Sequence, residues 1–315
     1  MPGTTVDPAT APALETVVRP RVPVHLGLTL GPLRHGLHDP TIEVRDAVVR
    51  RATRTPEGPA TEELRATRDG TIEVRAWGPG AAWVIARVTD LLGLGAGQDG
   101  FEPRHSLLRD LQRRFAGLRI GRSAAVMESL VPAVLEQKVA GPEAQRSYRE
   151  LVRRHGEPAP GPIEGRRTLY LPPDPARLAT LPSWAYHAAG VERRRGDTIR
   201  AAAARAGRLE ALVGLPPADA AARLRSLPGV GAWTAAEVTG RALGDADAVP
   251  VGDYNMPNLV CWLLAGVPRG DDERMLELLA PFRPYRLVVL RLLEATGWRP
   301  ARRAPRAAIR DIRGI

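Results

Sequence analysis

Hydrophobic periodicity changes once along this chain, and the change divides it. Before residue 78, apolar and polar residues alternate in three stretches: His25 to Leu30, Thr41 to Arg51 and, after the turn dipeptide Asp69-Gly70, Thr71 to Trp77. Period-two alternation marks half-buried strands, so these predict one antiparallel sheet. The stretch Ala81 to Leu94 spaces Trp83, Val84, Val88, Leu91 and Leu92 for a helix packed on that sheet, and glycines at 93, 95, 97 and 100 end the unit. Beyond Phe101 helical spacing recurs nine times between His105 and Ala295. The expected fold class is mainly α, an all-helical core behind a small N-terminal α+β domain.

Boundaries follow from the punctuation. Prolines at 2, 8, 12, 20 and 23 without periodicity mark 1–24 as a disordered leader; 25–98 is the α+β domain and 99–299 the helical domain. Nine of the twenty residues from 156 to 175 are Gly or Pro, which predicts a surface loop there. Residues 300–315 carry arginines at 302, 303, 306, 310 and 313 and read as a basic tail, either solvated or in non-specific contact with phosphate.

Composition narrows the chemistry. The net charge of +10 points to a polyanionic partner, nucleic acid first. Lys138 is the sole lysine, so Schiff-base chemistry has one side-chain amine to draw on. Cys261 is the sole cysteine and lies in an apolar run, which excludes an internal disulfide, an iron–sulfur cluster and a zinc–thiolate site. No apolar stretch is long enough to span a membrane and no targeting segment is evident, so a soluble cytoplasmic protein is expected.

The most informative motif is Leu227-Pro228-Gly229-Val230-Gly231, set between helical patterns within 218–243. Two glycines one residue apart allow a sharp turn whose amides face outward, and the following helix N-terminus adds its positive dipole end. Helix, Leu-Pro-Gly-Val-Gly and helix together resemble the helix-hairpin-helix element that grips DNA backbone. Val249-Pro250-Val251-Gly252-Asp253 follows at a distance that resembles the helix-hairpin-helix, Gly/Pro-Asp superfamily of DNA glycosylases. Pro281-Phe282-Arg283-Pro284-Tyr285-Arg286 with Thr296-Gly297-Trp298-Arg299-Pro300, and Phe115 to Ile120 with Val134 to Val139, are similar to the 3-methyladenine DNA glycosylase II type. That resemblance spans roughly 25–300.

The resemblance implies a monomeric, nucleoid-associated enzyme acting on damaged bases in double-stranded DNA, without metal or organic cofactor. Asp253 falls at the position of the catalytic aspartate, a charge suited to an oxocarbenium-like sugar; its alternative role is to cap the helix that follows. Trp233 falls where the superfamily places a pocket aromatic or, in lyase members, the nucleophilic lysine, so monofunctional hydrolysis is expected. Glu237, four residues on and on the same helix face, replaces an aromatic and either accepts hydrogen bonds from the base or lies in solvent. Trp184 and Tyr186 are further pocket candidates, with core packing as their alternative. Gln137 and Lys138 occupy the wedge position that fills the gap left by a flipped nucleotide; Lys138 reaches either a phosphate or the orphaned base. A catalytically silent damage-binding protein is the competing reading, and Asp253 discriminates, since a mere binder has no need of it.

Overall fold

The computed structural model describes residues 13–45, 47–95, 97–161, 167–298 and 311–313. The first twelve residues of the expected leader, the centre of the Gly/Pro-rich loop and nearly all of the expected basic tail lie outside them.

Five antiparallel strands form one sheet in the order β1-β5-β4-β3-β2: β1 (Leu14–Val18), β2 (Ile42–Arg45), β3 (Val48–Thr55), β4 (Gly58–Ala66) and β5 (Ile72–Trp77). Helices α1 (Leu26–Leu30) and α2 (Ala81–Leu91) cover one face, where Ile42, Val49, Leu64, Ile72 and Val74 pack on Leu26, Leu30, Val88 and Leu91. Burying such side chains is worth roughly 1.5–3 kcal/mol each and holds this layer together.

Three expectations are corrected here. Residues 14–18, assigned to a disordered leader, form an edge strand on β5 from Leu14↔Ala76 to Val18↔Ile72. His25 to Leu30 is helical rather than extended: Leu26, Thr29 and Leu30 are buried at helical spacing, and Nδ1 of His25 accepts the Leu28 amide at 3.2 Å to start the turn. Thr41 to Arg51 is two strands, reversing between the partners Arg45 and Val48. Strand β4 escaped notice because Glu62 and Glu63 sit in its centre; both are buried against arginines of β3. Arg51 donates to Glu62 at 2.9 Å, and to Glu128 of the helical layer at 2.9 Å.

The remaining helices are α3 (Ser106–Arg114), α4 (Val126–Leu135), α5 (Gly141–His155), α6 (Pro175–Thr180), α7 (Ser183–Ala188), α8 (Arg193–Ala203) and α9 (Ala206–Glu210). They are followed by α10 (Pro217–Arg225), α11 (Ala232–Val238, continued by a π turn over Thr239–Leu243), α12 (Met256–Ala265), α13 (Asp272–Leu279) and α14 (Arg286–Ala295). The fold is mainly α with a small N-terminal sheet. Its helices bury two separate cores. One joins α4, α5, α8, α10 and α11 around Leu130, Val134, Ile199, Leu224 and Val238. The other joins α3, α12, α13 and α14 around Leu108, Val260, Met275 and Val289. The loop from α11 to α12 crosses between them and carries Pro250 and Asp253.

Candidate active site

The α10–α11 hairpin is built as its sequence requires. Gly229 sits at φ +85°, and a Cβ there would lie 2.2 Å from the hydroxyl of Thr198, so glycine is needed on both counts. Gly231 is extended, and a Cβ there would meet nothing within 4 Å. Buried Val230 anchors the loop while Pro228, Gly229 and Gly231 remain exposed.

Asp253 and Trp233 meet across the gap between the two cores. Oδ2 of Asp253 accepts the indole N–H of Trp233 at 3.1 Å, and Oδ1 accepts the amides of Asn255 and Met256 at 2.8 and 2.9 Å. One oxygen therefore caps α12 while the other faces α11, so the capping role the sequence allowed is present and leaves the second oxygen directed at Trp233. Three donors on an acceptor-only group fix its orientation. Asp245 and Asp247, two and four residues after the end of the hairpin helix at Leu243, do other work: Asp247 takes two hydrogen bonds from the Arg286 guanidinium, at 2.8 and 2.7 Å, and ties the loop to α14.

A cavity is lined in part by the same helix and loop. Glu237, Gly240 and Arg241 line it from the hairpin helix and its π turn, Pro250 from the loop, Leu287 and Arg291 from α14, and Leu30, Pro32 and Leu33 from the sheet layer. Pro250 accepts the Asp253 amide at 3.2 Å and Glu237 stands one helical turn from Trp233, so the cavity and the pair draw on the same two segments, although neither Asp253 nor Trp233 lines it. Glu237 pairs with Arg241 at 2.5 Å, and burial pushes its carboxyl up against the pull of Arg241. Nε of Arg241 in turn donates to the Pro32 carbonyl at 3.1 Å. Sequence reasoning missed Arg241 and Pro32, although Trp233, Glu237 and Arg241 share a single i, i+4 register.

Two pocket candidates stand elsewhere. Tyr186 is a core residue, 1% exposed, its hydroxyl donating to Leu178 O at 2.7 Å and pushed up to about 12 by burial. Trp184 is 74% exposed on α7, which packs against α8. Neither lines the cavity. The two wedge candidates also separate. The Gln137 amide donates to Gly229 O and to Thr234 Oγ1, both at 2.9 Å, which pins the end of α4 to the hairpin instead of leaving a plug. Lys138 is exposed on the adjoining turn at φ +56°, a conformation that costs a non-glycine residue roughly 1–2 kcal/mol. Among the described residues no group of three or more His, Cys, Asp and Glu is disposed to hold a metal ion.

The backbone matches solved structures closely. The 3-methyladenine DNA glycosylase of Archaeoglobus fulgidus superposes with a TM-score of 0.76 over 90% of this chain and 99% of its own, at 21% identity. The chain has the fold of that glycosylase. The 8-oxoguanine glycosylase/lyase of Clostridium acetobutylicum shares this glycosylase fold with a TM-score of 0.69 over 89% of this chain and 95% of its own, at 13% identity. In sequence, a probable bifunctional transcriptional activator/DNA repair enzyme AlkA of Mycobacterium tuberculosis is 30% identical over 238 residues, 68% of this chain. This glycosylase-fold chain spans 44% of that relative's length. No protein-family model matches the chain.

Proposed function

We propose that this chain is a monofunctional DNA glycosylase that releases alkylated, 3-methyladenine-like bases flipped out of double-stranded DNA. The observation that carries the reading is the Asp253 carboxylate held by three donors, one of them the Trp233 indole, with a cavity lined by Glu237 and Pro250 of the same segments; by the resemblance, Trp233 stands where lyase members carry their amine nucleophile. Cleavage of the N-glycosidic bond builds positive charge on the sugar, and a base alkylated at a ring nitrogen leaves already carrying charge. One oriented carboxylate is then sufficient to stabilise the cation or direct water onto it. An indole cannot form an imine, so the strand is left intact at an abasic site.

The exposed hairpin loop grips the backbone on either side of the lesion, and Lys138 enters the duplex or its phosphate rim. The competing 8-oxoguanine glycosylase/lyase reading, open on fold alone, demands an amine in the site and a covalent intermediate. Incubating the chain with duplexes each bearing one lesion, with and without borohydride, tests the proposal. Free alkylated base, an unbroken strand and no trapped adduct are expected. A borohydride-dependent adduct lost in Lys138→Arg would overturn the hydrolytic mechanism.

A further inference from the structure

We infer that the Glu237–Arg241 pair determines which alkylated base is accepted, selecting alkyladenines over alkylguanines; the inference rests on the glycosylase reading above. Three features of the cavity lead there. Its lining is apolar at Leu30, Leu33, Pro250 and Leu287, so its charged groups decide orientation. Arg241 faces Glu237 with Nη1 at 2.5 Å, an ion pair, and Nε donates to Pro32 O at 3.1 Å, which holds the guanidinium in place beside the carboxylate. Of the two other guanidiniums in the lining, Arg291 of α14 pairs with Glu294 at 2.8 Å and Arg119 donates to Gly93 O at 3.0 Å and to Asp99 at 2.6 Å.

Glu237 therefore presents its second carboxylate oxygen as an acceptor held by a fixed cation, at one helical turn from the indole that orients Asp253. An acceptor requires a donor on the base. A 3-methyladenine cation offers its exocyclic amine, whose protons are made more acidic by the ring charge. At the corresponding position 7-methylguanine carries a carbonyl oxygen, and carboxylate against carbonyl leaves two buried acceptors facing one another. Both bases are cationic leaving groups, so leaving-group charge does not separate them. A site built around a hydrogen bond rejects analogues lacking it far more strongly than an apolar pocket does.

The test compares single-turnover release of 3-methyladenine and 7-methylguanine by the full chain, each rate divided by the spontaneous release rate of the same nucleotide. The enhancement for 3-methyladenine is expected to be at least tenfold the greater. In Glu237→Gln, which keeps the volume and removes the acceptor charge, the 3-methyladenine rate should fall at least tenfold more than the 7-methylguanine rate. Equal enhancements by the unaltered chain would overturn the selectivity whether or not the variant folds. An unchanged ratio in a variant of unaltered melting temperature would do the same. Release of neither base overturns the glycosylase reading itself, and this one with it.

Discussion

The indole nitrogen of Trp233 and the Oδ2 of Asp253 lie 3.1 Å apart, although the helix that carries Trp233 and the helix that Asp253 caps belong to different hydrophobic cores. The contact gives the tryptophan a positioning role that aromatic stacking alone would not. Trp233→Phe keeps the ring face and deletes the donor. A hydrogen bond to a charged group is worth roughly 1.5–3 kcal/mol, so single-turnover excision should fall about tenfold or more while the melting temperature stays within a few degrees. Full activity in the phenylalanine variant would assign the ring to stacking only.

Asp253→Asn removes the charge and retains the shape. Excision should fall by about a hundredfold or more, the equivalent of roughly 3 kcal/mol of barrier, with binding to abasic-site DNA preserved within a few-fold. Because Oδ1 caps α12, the melting temperature must be measured alongside. Activity at the original level in the folded variant would remove Asp253 from the mechanism.

The two hairpin glycines separate stability from binding. Gly231→Ala has room for its methyl group, so it should melt like the parent yet bind every DNA sequence more weakly, through obstruction of backbone contacts. Gly229→Ala meets Thr198 at a positive φ and should lose stability as well, by about 1–3 kcal/mol. A binding loss in Gly231→Ala confined to one lesion would place the loop in the base pocket instead.

Arg51 is wholly enclosed by Glu62 and Glu128, and burial holds the Glu62 carboxyl above its ordinary range against the pull of Arg51. Arg51→Met leaves Glu62 buried without its cation, while Glu128 keeps the Thr53 hydroxyl and the Arg54 amide, at a cost of about 3–5 kcal/mol. A carboxyl raised in the folded state favours folding below its unfolded value, near 4.5, and that contribution is lost as pH rises through the folded value. Without Arg51 the Glu62 carboxyl rises further. The urea midpoint of the variant should therefore drop more, relative to the parent, at pH 8 than at pH 5; equal losses at both would show that Glu62 does not titrate in this range.

What could be read from the chain was whatever local pattern dictates. Helical spacing after Phe101 yields α3 to α5, α8 and α10 to α14, and the two glycines within Leu227 to Gly231 announce the hairpin. The interval from Trp233 to Asp253 is one that the structure closes into a single site. Elements set by distant partners were not legible. Strand β1 exists because β5 has an open edge, and β4 buries two glutamates only because β3 supplies arginines opposite them. Trp184 and Tyr186 are two residues apart and so point to opposite faces of α7; which of the two faces is buried is fixed by what α8 covers. Gln137 looked free because its partners, Gly229 and Thr234, lie more than ninety residues away.

The division of the helices into two cores makes alignment the quantity most exposed to damage. Hydrogen-bond strength falls steeply over fractions of an ångström, whereas each core tolerates small internal rearrangements at modest cost. A substitution such as Ile199→Val or Val289→Ala, neither touching the site, shifts one body slightly against the other before either comes apart. Turnover thus serves as a finer gauge of interior packing than the unfolding curve. In a population of variants, catalytic loss should precede detectable loss of structure at positions far from any reacting atom.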